Sequence, residues 1–165
     1  MARVYVGYDE YGLDGIDDEL IQFVFDVVVS LTKLDVKSEA GLVITTDERM
    51  RELNKKYRGK DIPASVLSFV YAETTAVPDA KASVHGTAPE EMRELGDEHY
   101  LGDIFISRAQ LIRDAGAERV SLREKFIHLL AHGLLHLAGI HHPDEQAALR
   151  MEALEDKVVA AALSA

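Results

Sequence analysis

The sequence predicts an α+β fold: a single domain over residues 1–165, with a small mixed β-sheet flanked by helices and one central buried helix that carries a set of histidines. Three observations lead there. LREKFIHLLAHGLLHLA, from Leu122 to Ala138, is apolar around most of a helical circumference, which marks a buried helix. Several short β-branched segments are separated by stretches of helical period, with no internal repeat. Capping-box spacing recurs at Thr45/Glu48, Ser107/Gln110 and Ser121/Glu124, each time ahead of a helical segment.

Each element has its own signal. Val4 to Tyr8 alternates weakly and reads as a first strand. Ile16 to Leu34 reads as a helix with Leu20, Val24, Val27, Val28 and Leu31 on one face. GLVITT, from Gly41 to Thr46, is a β-branched strand. Thr45 caps a helix that runs to about Tyr57 and that Gly59 breaks. SVLSFVY, from Ser65 to Tyr71, is another strand. Residues 72–100, rich in Ala, Glu, Pro and Gly without a period, are expected to form a long loop or insertion. GDIFIS, from Gly102 to Ser107, is the last strand, and Ser107 opens a helix ending near Gly116. Ser121 starts the central helix, and Gly139 takes the left-handed position after it. Pro143 suits the first position of a final helix, with Asp144 and Glu145 at its positive end and a core stripe of Ala147, Met151, Leu154 and Val158.

The 165 residues are enough to bury a core without disulfides, and there is no cysteine. That excludes thiolate ligands and fits a reducing compartment. The start of the chain lacks signal-peptide character and no apolar run reaches membrane-spanning length, so the expectation is a soluble, cytoplasmic protein with no membrane partner. The formal net charge of −11 opposes non-specific nucleic-acid binding. One local exception exists: RMRELNKKYRGK, from Arg49 to Lys60, has six cations against Glu52 alone. On charge alone it reads equally as a solvated helix face.

The chemistry concentrates in HGLLHLAGIHH, from His132 to His142. Histidines four apart share a helix face, with Cβ atoms roughly 5–6 Å apart. His132 and His136 can therefore converge on one ion at about 2.0–2.1 Å per Zn–N bond. The turn at Gly139 brings His142 to the same ion as a third ligand, leaving a fourth position for water. A single HxxxH pair is a weak signal. Three buried imidazoles without a purpose would leave polar nitrogens needing partners. His141 is the rival third ligand, since neighbouring residues point differently. His128 lies roughly 6 Å further back along the axis and reads as core or as support for a ligand. His85 and His99 read as surface residues. The spacing is that of a metzincin peptidase, but the glutamate base of that motif is replaced by Gly133, which argues against peptide hydrolysis. A residue without a side chain there also lets another element pack closely against the site.

HGLLHLAGIHH resembles the HGxLHLxGYDH signature of the YbeY family, bacterial endoribonucleases implicated in ribosomal RNA maturation and ribosome quality control. Asn54 to Phe69, NKKYRGKDIPASVLSF, is similar to the family's NxxYRGKDxPTDVLSF block. LGDIFIS, from Leu101 to Ser107, resembles its LGDI segment, and MEALE, from Met151 to Glu155, its C-terminal helix. The resemblance implies one Zn2+ ion on His132, His136 and His142, and a cleavage role for Arg58. It also implies a cytoplasmic, single-strand-specific endoribonuclease with ribosomal RNA and ribosomal proteins as partners. Physics agrees on Arg58, since a guanidinium grips phosphate bidentately and offsets transition-state charge. An exposed helix-end cation is the plainer alternative. Lys55, Lys56 and Lys60 are expected to guide the RNA backbone, and Tyr57 and Tyr71 are candidate stacking surfaces.

This chain departs from the family pattern at Ile140 and His141, where the family has Tyr and Asp, and at Ala64-Ser65 after the block's proline. His141 is a candidate to take over proton transfer, since an unperturbed imidazole titrates near ~6.5. Two alternatives to the nuclease remain open: a metal-stabilised ribosome-assembly or RNA-binding factor without turnover, and a zinc metallopeptidase.

Overall fold

The computed structural model describes residues 2–70 and 99–165. Its element order is β1 (Arg3–Tyr8), α1 (Asp18–Leu31), β2 (Glu39–Thr45), α2 (Asp47–Arg58), β3 (Val66–Val70), β4 (Tyr100–Ser107), α3 (Arg108–Glu118), α4 (Leu122–Leu137) and α5 (Glu145–Ser164). This is the expected α+β class. The expected insertion lies, up to residue 98, outside the described residues, as do Tyr71 and His85. Among the described residues no helix is long and apolar enough to cross a membrane.

The sheet has the order β1-β2-β4-β3. Strands β1, β2 and β4 run parallel, and β3 pairs antiparallel with β4 at the edge. Alternation along the strands sends side chains to two cores. Leu42, Ile44, Ile104 and Ile106 face the larger one, with Val24, Phe25 and Val28 of α1, Phe126, Leu130 and Leu134 of α4, and Met151 and Val158 of α5. Val43, Phe105, Leu67 and Phe69 face the smaller one beneath Met50, Leu53 and Tyr57 of α2. The central helix is buried as its composition requires, with Phe126, Leu130 and Leu134 fully enclosed.

Three helix starts differ from expectation, and each has a local cause. Thr46, not Thr45, caps α2 by accepting from the Arg49 amide at 3.2 Å. The Thr45 hydroxyl is turned away and donates to Asp9. Helix α1 begins after Asp17, which accepts from the Leu20 amide at 2.9 Å. Ile16 is instead held in a bridge to Leu13. Pro143 stands outside α5, because Asp144 is the cap and accepts from the Ala147 amide at 2.7 Å. An oxygen side chain wins the cap because it satisfies an otherwise unpaired helical N–H. Ser107 and Ser121 cap α3 and α4 as the sequence indicates.

Two glycines set close approaches. At Gly102 the backbone has φ +148, and an added Cβ would lie 1.9 Å from the Phe69 carbonyl oxygen on β3. At Gly133 on α4 a Cβ would lie 3.1 Å from the Ile104 side chain, so the missing side chain does let β4 approach the site helix. Gly102→Ala is therefore expected to cost at least about 3 kcal/mol, by backbone strain plus a clash with main chain that cannot yield. Gly133→Ala is expected to cost about 1–3 kcal/mol, since the flexible Ile104 can shift. Denaturant titration of both variants checks the order.

Candidate metal centre

Helix α4 carries His132 and His136 one turn apart, and a Schellman turn closes it behind them. The Gly139 amide donates to the His136 carbonyl and the Ile140 amide to the Leu135 carbonyl, each at 3.0 Å. Gly139 has φ +88, which explains the glycine. The turn returns the chain so that His142 meets the helical pair. One ring nitrogen from each of His132, His136 and His142 lies within 4.8 Å of the others, a set able to hold a metal ion.

The outer nitrogens of the helical pair are engaged elsewhere. His136 Nδ1 donates to the Ile140 carbonyl at 3.1 Å. His132 Nδ1 donates to Glu155 Oε2 at 2.5 Å. In neutral rings this leaves both Nε2 atoms as acceptors, and they face each other at 3.0 Å. Two lone pairs at that distance repel unless a proton or a cation lies between them. Tetrahedral zinc sites separate nitrogens by about 3.3 Å at Zn–N distances of about 2.0–2.1 Å, so the pair needs little adjustment to hold an ion.

Electrostatics favour the neutral form of His136. Burial, reinforced by His132, His142 and His141 nearby, lowers the His136 pKa to about 4. Its ring is neutral at pH 7, the form that binds metal. Burial opposes charge on Glu155, but hydrogen bonds from His128 and His132 outweigh it and bring its pKa down to about 2. His128 is raised, chiefly by its hydrogen bond to Glu155 at 3.2 Å.

A cleft of about 520 Å³ opens on the centre, lined by Tyr57, Arg58, Lys60, Ser68, Val70, His136, His141 and His142. Among the described residues no carboxylate lines it. Arg58 is exposed, yet the cleft walls strip enough water to lower its pKa from the usual guanidinium value. It stays cationic, because guanidinium groups do not deprotonate in proteins. A smaller cavity of about 300 Å³ also borders His132 and His142, with His128, Glu152 and Glu155 in its wall.

The family model described as endoribonuclease YbeY matches residues 14–162. The chain belongs to the YbeY family. The endoribonuclease YbeY of Heliobacterium modesticaldum is 39% identical over 122 residues, covering 74% of this chain and 68% of that protein. That of Hydrogenovibrio crunogenus is 33% identical over 129 residues, covering 78% of this chain and 71% of its own. That of Rhodospirillum rubrum is 34% identical over 123 residues, and the match spans only 54% of its length. The solution structure of TM1509 from Thermotoga maritima superposes with a TM-score of 0.63 at 18% identity, covering 98% of this chain and 89% of that one, a likeness of fold.

The structure of this YbeY relative brings together most of the residues singled out in its sequence. His132, His136 and His142 converge, and Arg58, Lys60 and Tyr57 line the same cleft as His136 and His142. His141 also lines the cleft, stacked on His136 with centroids 5.6 Å apart. Lys55 and Lys56 are not among the cleft walls. Lys55 lies 3.9 Å from Asp61, which also pairs with Arg51, and Lys56 sits over the Tyr57 ring. The Tyr57 ring makes an edge contact with Phe69, so packing takes part of its surface. His128 pairs with Glu155 rather than with the triad, and His99 is half-buried rather than on the surface. Glu155 and Ser68 went unnoticed in the sequence. Glu155 had a legible signal, being an acid on the Met151, Val158, Ala162 stripe that α5 buries.

These shifts fix how metal-free protein responds to acid. The unfolded chain protonates His136 below its ordinary 6.5, while the folded chain resists until about 4, so stability falls across that interval. Glu155 adds stability above its ordinary 4.5 that is lost as pH falls towards about 2. Urea midpoints followed from neutrality to about pH 3 should decline from below 6.5. Glu155→Gln should flatten the part below 4.5 and also remove the upward shift of His128.

Proposed function

We propose that the protein is a zinc-dependent endoribonuclease acting on single-stranded segments of ribosomal RNA, in the cytoplasm, in rRNA processing and ribosome quality control. The observation that carries this reading is the cleft lined by Arg58 and Lys60 together with His136, His141 and His142. Membership of the YbeY family supports it, since the relatives named above are endoribonucleases.

The donor set fits one zinc ion on His132, His136 and His142, because three imidazoles suit zinc and leave a position open. When bound, the ion supplies Lewis acidity and lowers the pKa of water. The chain's own residues do the rest. The guanidinium of Arg58 binds a phosphate with two parallel N–H donors and offsets the charge that develops during cleavage. Lys60 adds a positive charge on the same wall, and the Ser68 hydroxyl offers a donor or acceptor to the sugar-phosphate chain. Side chains cannot read the deep groove of A-form RNA, which favours unpaired segments as substrate. A peptidase reading is weakened by Gly133 and by the lack of a carboxylate lining the cleft among the described residues.

His132→Ala should lose bound zinc, measured by elemental analysis of protein purified without a metal-affinity column. Arg58→Ala should keep its zinc and lose at least about 100-fold in cleavage of single-stranded RNA. Full zinc in the first variant, or full cleavage in the second, would remove that residue from its role. Casein should remain intact with the wild-type protein. Lys60→Ala should reduce the salt dependence of RNA binding by about one unit of log–log slope, and Lys55→Ala and Lys56→Ala by less.

A further inference from the structure

We propose that Glu155 is a positioning residue for the metal centre: its carboxylate orients the ring of His132, and His128 holds that carboxylate in place. The inference rests on the metal reading above. Glu155 is only 5% exposed and sits on the buried stripe of α5. An acid on such a stripe is retained only where its oxygens are paired. Both are. Oε2 lies 2.5 Å from His132 Nδ1 and Oε1 lies 3.2 Å from His128 Nε2.

The two helical ligands are held by different means. His136 is oriented by the Ile140 carbonyl, a main-chain group in the turn that ends its own helix. His132 is oriented by a side chain from α5, a separate helix. The direction of the His132 Nε2 lone pair therefore depends on how α5 seats against α4. Hydrogen-bonding the outer nitrogen fixes tautomer and ring angle together. His128 has the complementary task. By engaging Oε1 it keeps the carboxylate from rotating, so that Oε2 alone meets His132. The shared acid explains why an imidazole recurs one turn before the triad without joining it.

The test is zinc affinity measured on purified full-length protein by competition with a chromophoric chelator, with folding confirmed by circular dichroism. Glu155→Ala should weaken zinc binding about 10–100-fold. Glu155→Gln keeps a carbonyl that can accept from His132 Nδ1, so its affinity should fall between the two. In zinc-loaded, ¹⁵N-labelled protein the His132 Nδ1–H signal should be protected from exchange in the wild type and lost in Glu155→Ala. If Glu155→Ala does not fold, Glu155→Gln carries the test, with affinity expected below wild type. A lowered melting temperature with zinc affinity and the Nδ1–H signal unchanged would show a purely structural Glu155 and overturn the proposal. Wild-type protein that takes up no zinc would overturn the metal reading itself, and this inference with it.

Discussion

The close approach of helix α4 to strand β4 at Gly133 is the constraint on which the site depends. Ile104 fills the space a side chain would occupy there, and Ile104 is also the register partner of Ser68 on β3. One contact thus links the helix that bears the histidines to the strand that walls the cleft. A methyl group at residue 133 would press on the Ile104 side chain, which would have to shift to admit it. Burial on nearly every side then fixes the helix by packing rather than by its own weak propensity.

On that platform the histidines are arranged by hydrogen bonds. A main-chain carbonyl and a buried carboxylate each take one outer nitrogen, which turns the inner nitrogens towards each other. The cost of facing two acceptors is offset when a cation sits between them. The cleft adds the positive charge of Arg58 and Lys60 beside the centre.

Much of this was legible in the sequence, and the rest was hidden for physical reasons. The buried helix, its Ser121 cap and its Gly139 exit follow from local patterns that tertiary contacts had no cause to override. Thr45 and Thr46 are adjacent oxygens of equal capping strength, and only the long-range bond from Thr45 to Asp9 decides between them. The antiparallel β3 at the sheet edge is likewise a non-local outcome. The triad could be read from spacing. Which of the six cations from Arg49 to Lys60 faces it could not, because α2 turns some towards Asp9 and Asp61, and only family resemblance picked out Arg58. Glu155 was visible as a polar residue in an apolar stripe, but its partner lies 23 residues away on another helix.

The helix-ending turn has a kinetic consequence. The triad spans only the stretch from His132 to His142, so closing it requires no long loop and little chain entropy. Arg58 and the β3 wall reach the same place only after strands distant in sequence have paired, which is the slow part of assembling such a sheet. The turn thus makes the triad a low-contact-order unit, while the cleft wall waits on long-range strand pairing.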